Sequence, residues 1–174
     1  MTGPTIVAYR GKLPVVAVGT YVAPTVSLIG DVTIGAESSI WFGAVLRGDV
    51  QPITIGARTS IQDNAVVHAT DGWVPTVVGS DCTVGHMVLL HGCTIGDRVL
   101  VGMGSIVMDD AHIGTDCILG AGSLVTARQK IPPGVLAMGR PAKVIRDLSE
   151  EELAQIRDSA VHYVSKTREY LVTL

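Results

Sequence analysis

The chain has little charge and no concentration of one sign. Only 17% of its 174 residues are charged, the formal net charge is −3, and no stretch gathers Lys and Arg. That removes the electrostatic case for nucleic acid, whose phosphates demand a basic patch. No apolar run reaches the roughly twenty residues a spanning helix needs, because Gly and polar residues interrupt the hydrophobic stretches throughout. Residues 2–11 are mixed and carry no leader pattern, so the expected compartment is the cytoplasm. Cysteine is scarce as well. Three thiols, Cys82, Cys93 and Cys117, cannot pair completely, and a disulfide framework is not expected. Glutamate is missing between Glu37 and Glu150. Against these absences stands a hydrophobic content of 47%, enough for the core of one domain of ordinary size.

The hydrophobic residues are ordered with a period of six. Val22, Leu28, Ile34, Ile40 and Leu46 are followed, after a three-residue insertion, by Ile55, Ile61 and Val67. A five-residue insertion leads to Val78, Val84 and Leu90; one residue is then lost, and the series runs on from Ile95 through Val101, Val107, Ile113, Leu119 and Val125 to Ile131. Two positions before each step the residue is mostly small, as at Ala44, Ala65, Cys82, Cys93, Ser105, Ala111, Cys117 and Ser123. The cysteines therefore read as small packing residues, with Cys93, two residues after His91, the one adjacent to a candidate site. Glycine often follows the step. One aliphatic and one small residue per six describe a short strand and a tight turn, three of which close a triangular coil. Eighteen steps make about six coils, spanning about residues 14–136. The pattern resembles the hexapeptide-repeat family, which implies an all-β solenoid, a left-handed parallel β-helix, against the usual crossover hand. Ser149 with Glu152 forms a capping-box signature, and a charged helix is expected over about 149–172. Leu153, Ile156, Ala160, Tyr163, Val164 and Leu171 give it an apolar stripe for packing along the outside of the prism, in one domain covering 1–174.

Three histidines interrupt this order. His68 follows the step at Val67 and His91 the step at Leu90. With the five-residue insertion removed they are one coil apart, stacked about 4.8 Å from each other in one column, which Arg47 continues one coil earlier. His86 lies five residues before His91, up to about 16 Å away along extended chain, near a different corner. The spacing predicts that one chain does not unite all three. If one metal takes all three, His86 comes from a neighbouring subunit, and a triangular prism associates most simply about a threefold axis. The expected object is a homotrimer with metal at its interfaces, held by three imidazoles with open positions for water, as in catalytic zinc sites. His112 and His162 read as solvated surface residues.

Leu46-Arg47-Gly48-Asp49, Ile61-Gln62-Asp63-Asn64 leading to Val67-His68, Val84-Gly85-His86, the run from Leu90-His91-Gly92 to Gly96, and Gly139-Arg140-Pro141-Ala142 closely resemble the γ-class carbonic anhydrases over nearly the whole length. The resemblance implies a metal site of His68 and His91 from one subunit and His86 from the next. It also implies an interface ion-pair network of Arg47, Asp49 and Asp63, and a Gln62 that hydrogen-bonds a metal-bound hydroxide. The implied reaction is reversible hydration of carbon dioxide to bicarbonate by that hydroxide, with Zn2+ as cofactor or Fe2+ or Co2+ in its place.

Part of the pattern is missing. The acidic loop that serves proton release in the best-known relatives is replaced by the short segment 69–75, and Val50 stands where a loop acid would follow Asp49. Asp71 is the nearby carboxylate left to relay protons, so low activity is expected. A metal-dependent thioester hydrolase, a hexapeptide acyltransferase and a catalytically weak trimeric scaffold therefore stay open beside carbon dioxide hydration. Trp73 and Tyr163 read as packing residues, and Trp41 as outward-facing beside Ile40, in the trimer contact.

Overall fold

A computed structural model describes residues 3–173 of the chain. Short parallel strands wind around three faces of a prism, and three inward columns run through it. On the first face Leu28, Leu46, Val67, Leu90, Val107 and Val125 stack in register. The second face stacks Ile34, Ile55, Val78, Ile95, Ile113 and Ile131. The third runs from Val22 and Ile40 to Leu119 and Ala137. Most strands hold two or three residues; Ser27–Ile34 and Val45–Ile55 continue from the first face to the second. The solenoid has seven turns rather than six. Ile6 and Val16 pair with Leu28 and Ile34, and Ala137 pairs with Leu119, so the coil begins earlier and ends later than the run of aliphatic steps. The N-terminal steps are masked in the sequence because the long segment between Val7 and Val15 breaks the period.

The corners explain the small residues. Ala44, Ala65, Cys82, Ala111 and Cys117 are all fully buried, where the chain turns between faces and small side chains pack most readily. Glycine after the step is a stacking requirement: a Cβ on Gly102 would lie 2.5 Å from the Ala121 nitrogen of the next turn. The corner between the second and third faces carries Glu37, Arg58, Asp81, Arg98 and Asp116, all left-handed with φ from 52° to 59°. That conformation lets Arg58, Asp81 and Arg98 donate their N–H groups to the preceding turn. Their side chains alternate in sign, and two bidentate pairs, Arg58 with Asp81 and Arg98 with Asp116, clip adjacent turns.

The C-terminal helix α1 (Glu150–Thr173) reaches the solenoid through an antiparallel pair, Val135–Gly139 with Ala142–Asp147. Its cap is the reciprocal one expected: the Ser149 N–H donates to Glu152 at 3.0 Å and the Glu152 N–H to the Ser149 hydroxyl at 3.3 Å. The helix lies along the third face, against the strands at Tyr21–Val22, Ser39–Ile40 and Thr83–Val84. It buries Ile156, Ala160 and Thr167, while Leu171 is exposed. Beyond Tyr163 the buried stripe passes through Thr167 and Tyr170, because Thr167 satisfies its hydroxyl on the Tyr163 carbonyl. Trp41 does point outward from the prism, but the helix covers it. It is 7% exposed, donates to Ser39 and Ser60, and meets Tyr163 and Tyr170 edge-on; it belongs to the helix seat rather than to a free outer surface.

The Arg146 guanidinium, followed by the Ser149 N–H, lowers the Glu152 pKa from 4.5 to about 2. The unfolded chain takes up this proton at higher pH than the folded one, so the stabilisation is complete above the ordinary value and is lost as pH falls toward 2. The melting-temperature difference between the parent and Glu152→Gln is therefore expected to be constant from pH 7 to 5 and to shrink below that; a pH series of thermal melts checks it.

Candidate metal centre

At the corner between the first and second faces, the strands Val66–His68 and Leu89–His91 end side by side with His68 and His91 paired in register. Both rings are partly buried. His68 Nδ1 lies 3.3 Å from His91 Nε2. Each outer nitrogen faces a carboxylate: His68 Nε2 is 3.0 Å from Asp49 Oδ1, and His91 Nδ1 is 3.0 Å from both oxygens of Asp109. Asp49 also accepts from Arg47 Nη1 at 2.5 Å. Burial alone would raise the pKa of Asp49, but hydrogen bonds from Arg47 and His68 outweigh it and hold the group below the ordinary carboxylate range. Burial opposes Asp109 likewise, and hydrogen bonds from His91 and Thr70 overcome it.

Two ionised carboxylates accept only. The outer ring nitrogens must then carry the hydrogens, an assignment that follows from the hydrogen-bond network, and the two inner nitrogens face each other with lone pairs. At 3.3 Å that arrangement is repulsive unless a positive charge lies between them. The separation is also about that of two ligands on a tetrahedral ion with metal–nitrogen bonds of about 2.0–2.1 Å. The residues present thus fit a borderline cation with imidazole ligands, each ring oriented by an acceptor behind it.

The backbone here is clasped. Buried Thr76 donates its hydroxyl to the His68 carbonyl at 2.5 Å and accepts from the Gly92 N–H at 2.9 Å. Gly92 has φ +54°, and a Cβ on it would sit 2.4 Å from an Asp109 oxygen. Neither Thr76 nor Asp109 stands out by composition. Asp109 had one available signal, since it follows His91 by the eighteen residues of one nominal coil; the residue lost after Leu90 hides it, because the register there pairs Leu90 with Val107.

His86 lies at another corner, between the third and first faces, where His86 and Met87 turn the chain toward Leu89. Its Nδ1 is 2.9 Å from Asp63 Oδ2. Gln62, 6% exposed, shares with His86, Asp63, Trp41, Tyr163 and Lys166 a cavity of about 270 Å³ under the helix. The fold therefore unites Arg47, Asp49, His68 and His91 at one corner and Gln62, Asp63 and His86 at another. Among the described residues no group of three or more His, Cys, Asp or Glu side chains is placed to hold one ion. Tyr163 lines the His86 cavity as well as packing on Trp41. Trp73 is exposed with Arg128 over its ring, and Asp71 is exposed on the same loop. His112 lies exposed near Asp110, and His162 is exposed with its ring against Tyr163. Cys93 is buried, which pushes its thiol up to about 12 and leaves no thiolate chemistry near neutral pH.

The family model described as bacterial transferase hexapeptide (six repeats) matches residues 92–127. A carbonic anhydrase of Geobacillus kaustophilus is 46% identical over 165 residues, covering 95% of this chain and 90% of that protein. The mitochondrial γ carbonic anhydrase 2 of Arabidopsis thaliana is 44% identical over 166 residues; the alignment takes in 92% of this chain but spans 60% of that relative's length. Among solved structures, a hexapeptide transferase family protein from Anaplasma phagocytophilum superimposes with a TM-score of 0.91 at 45% identity, covering 95% of this chain and 98% of that one.

Gly92→Ala is expected to lower stability by about 1–2 kcal/mol through its left-handed backbone and to displace Asp109 from His91. Denaturant unfolding and a structure of the variant check the two effects.

Proposed function

The chain belongs to the γ-class carbonic anhydrase family, and from that membership we propose that it hydrates carbon dioxide reversibly at a metal site shared between copies in a homotrimer. The observation that carries the reading is the pair of facing imidazole nitrogens of His68 and His91, forced into lone-pair opposition by Asp49 and Asp109. His68 and His91 of one copy and His86 of the next would hold the ion, with Zn2+ the first choice and Fe2+ or Co2+ compatible with the same donors. Such an ion acidifies water to a usable nucleophile near neutral pH.

The remaining residues orient. Asp63 takes the Nδ1 side of His86, which leaves Nε2 for coordination. Gln62, beside His86, presents an amide that orients the attacking oxygen. Arg47 ties Asp49 into place behind His68, and Asp71, exposed on the loop after His68, is the proton relay. A single exposed carboxylate makes a modest relay, and slow turnover follows from it.

The threefold assembly rests on what each face offers solvent. The second face presents Thr33, Thr54, Val77, Thr94, His112 and Lys130, mostly suited to water. The third lies under the helix. The first presents Val45, Val66, Leu89, Ile106 and Leu124 in one outward column, Val66 exposed and the others half-buried, and it lies between the His68–His91 corner and the His86 corner. Met87 and Met103, 64% and 56% exposed, extend this apolar surface beside His86. Burying the first face against neighbouring copies would remove that surface from water and bring the two kinds of corner together. Three buried thiols without disulfides suit a reducing compartment, and the cytoplasm is the proposed location.

Elemental analysis of untagged protein, normalised to chain concentration, tests the reading. About one ion per chain is expected, lost in both His68→Ala and His86→Ala, with carbon dioxide hydration lost in parallel. No metal after zinc or iron is supplied, together with acetyl-CoA binding, would overturn it in favour of acyl transfer. Bound metal that raises the melting temperature without hydration would reduce the protein to a scaffold, and metal-dependent thioester cleavage without hydration would make it a hydrolase.

A further inference from the structure

We propose that Asp109 is a positioning residue that fixes the tautomer of His91 and so keeps the two stacked histidines from hydrogen-bonding to each other. The alternative lies close at hand. With its hydrogen on Nε2 instead of Nδ1, His91 would donate across the 3.3 Å gap to His68 Nδ1, and the lone-pair repulsion would turn into a neutral hydrogen bond. That tautomer would close the pair to any cation. Asp109 opposes it with both oxygens 3.0 Å from Nδ1.

The other carboxylate of the pair is less dedicated. Asp49 divides its oxygens between His68 and Arg47 and its side chain is 19% exposed. Asp109 is 8% exposed at the side chain, and it has no ion-pair partner except His91 among the described residues. Its charge bears on one imidazole. The fold also makes room for this contact: the Asp109 oxygen occupies the space a side chain on Gly92 would need, and Thr76 holds the two histidine strands together from below. Charge-assisted hydrogen bonds of this kind are stronger than neutral ones, and acceptors behind metal-binding imidazoles change metal affinity by roughly 10–100-fold.

The tautomer is measurable without metal, and the affinity rests on the metal reading above, so the two can fail separately. Long-range proton–nitrogen correlation spectra of the full-length protein, stripped with chelator and held at alkaline pH, report which nitrogen of His91 carries the hydrogen; a His91→Gln spectrum assigns the signals. The parent is expected to show the hydrogen on Nδ1, and Asp109→Asn to move most of the population to Nε2. Zinc affinity by chelator competition should fall roughly 10–100-fold in Asp109→Asn, with the melting temperature nearly unchanged. A parent whose His91 already carries its hydrogen on Nε2, or a variant that alters neither tautomer nor affinity, overturns the proposal. Should Asp109→Asn not fold, the parent spectrum still decides. Should the parent bind no zinc, the metal reading fails and the tautomer alone decides the role of Asp109.

Discussion

Everything in this molecule depends on turns that stack flush, each donating its backbone hydrogen bonds to the next. That spacing, about 4.8 Å between neighbouring strands, leaves no slack at the corners. It favours a small residue two positions before most steps, demands glycine where the backbones touch, and places polar corner residues of adjacent turns close enough to pair. The ladder of alternating charges along one prism edge and the two stacked histidines along another are products of the same repeat.

A rigid stack turns a side-chain pair into a chemical statement. His68 and His91 cannot drift apart, because their strands are paired and Thr76 joins their backbones. Asp49 and Asp109 then leave the two inner nitrogens facing with nothing of their own to share. A flexible loop would relax such a repulsion by turning a ring away. Here the paired strands hold both rings in place on a scaffold whose inward columns are all aliphatic, and a cation between them would convert that repulsion into attraction.

The three faces of the prism are chemically distinct, and their distribution accounts for the rest of the structure. One is mostly polar, one is sealed by the helix through Trp41, Ile156, Ala160 and Tyr170, and one is aliphatic on its outer side with His68 and His91 at one edge and His86 at the other. These two histidine corners on either side of an apolar face support the proposed assembly of copies.

The sequence by itself determined the repeat, the three columns of aliphatic steps, the capped helix, and the pairing of His68 with His91 in one column apart from His86. These are local or periodic properties, and a period of six converts residue numbers directly into neighbours. Only the tertiary structure decided what breaks the period or crosses it. The added turns at Ile6, Val16 and Ala137 lie beyond the regular steps; Asp109 reaches His91 because a lost residue shifts the register by one; Trp41 is buried by a helix more than a hundred residues later in the chain. Composition is silent on such contacts, since each depends on where the backbone stands in space when two distant segments meet.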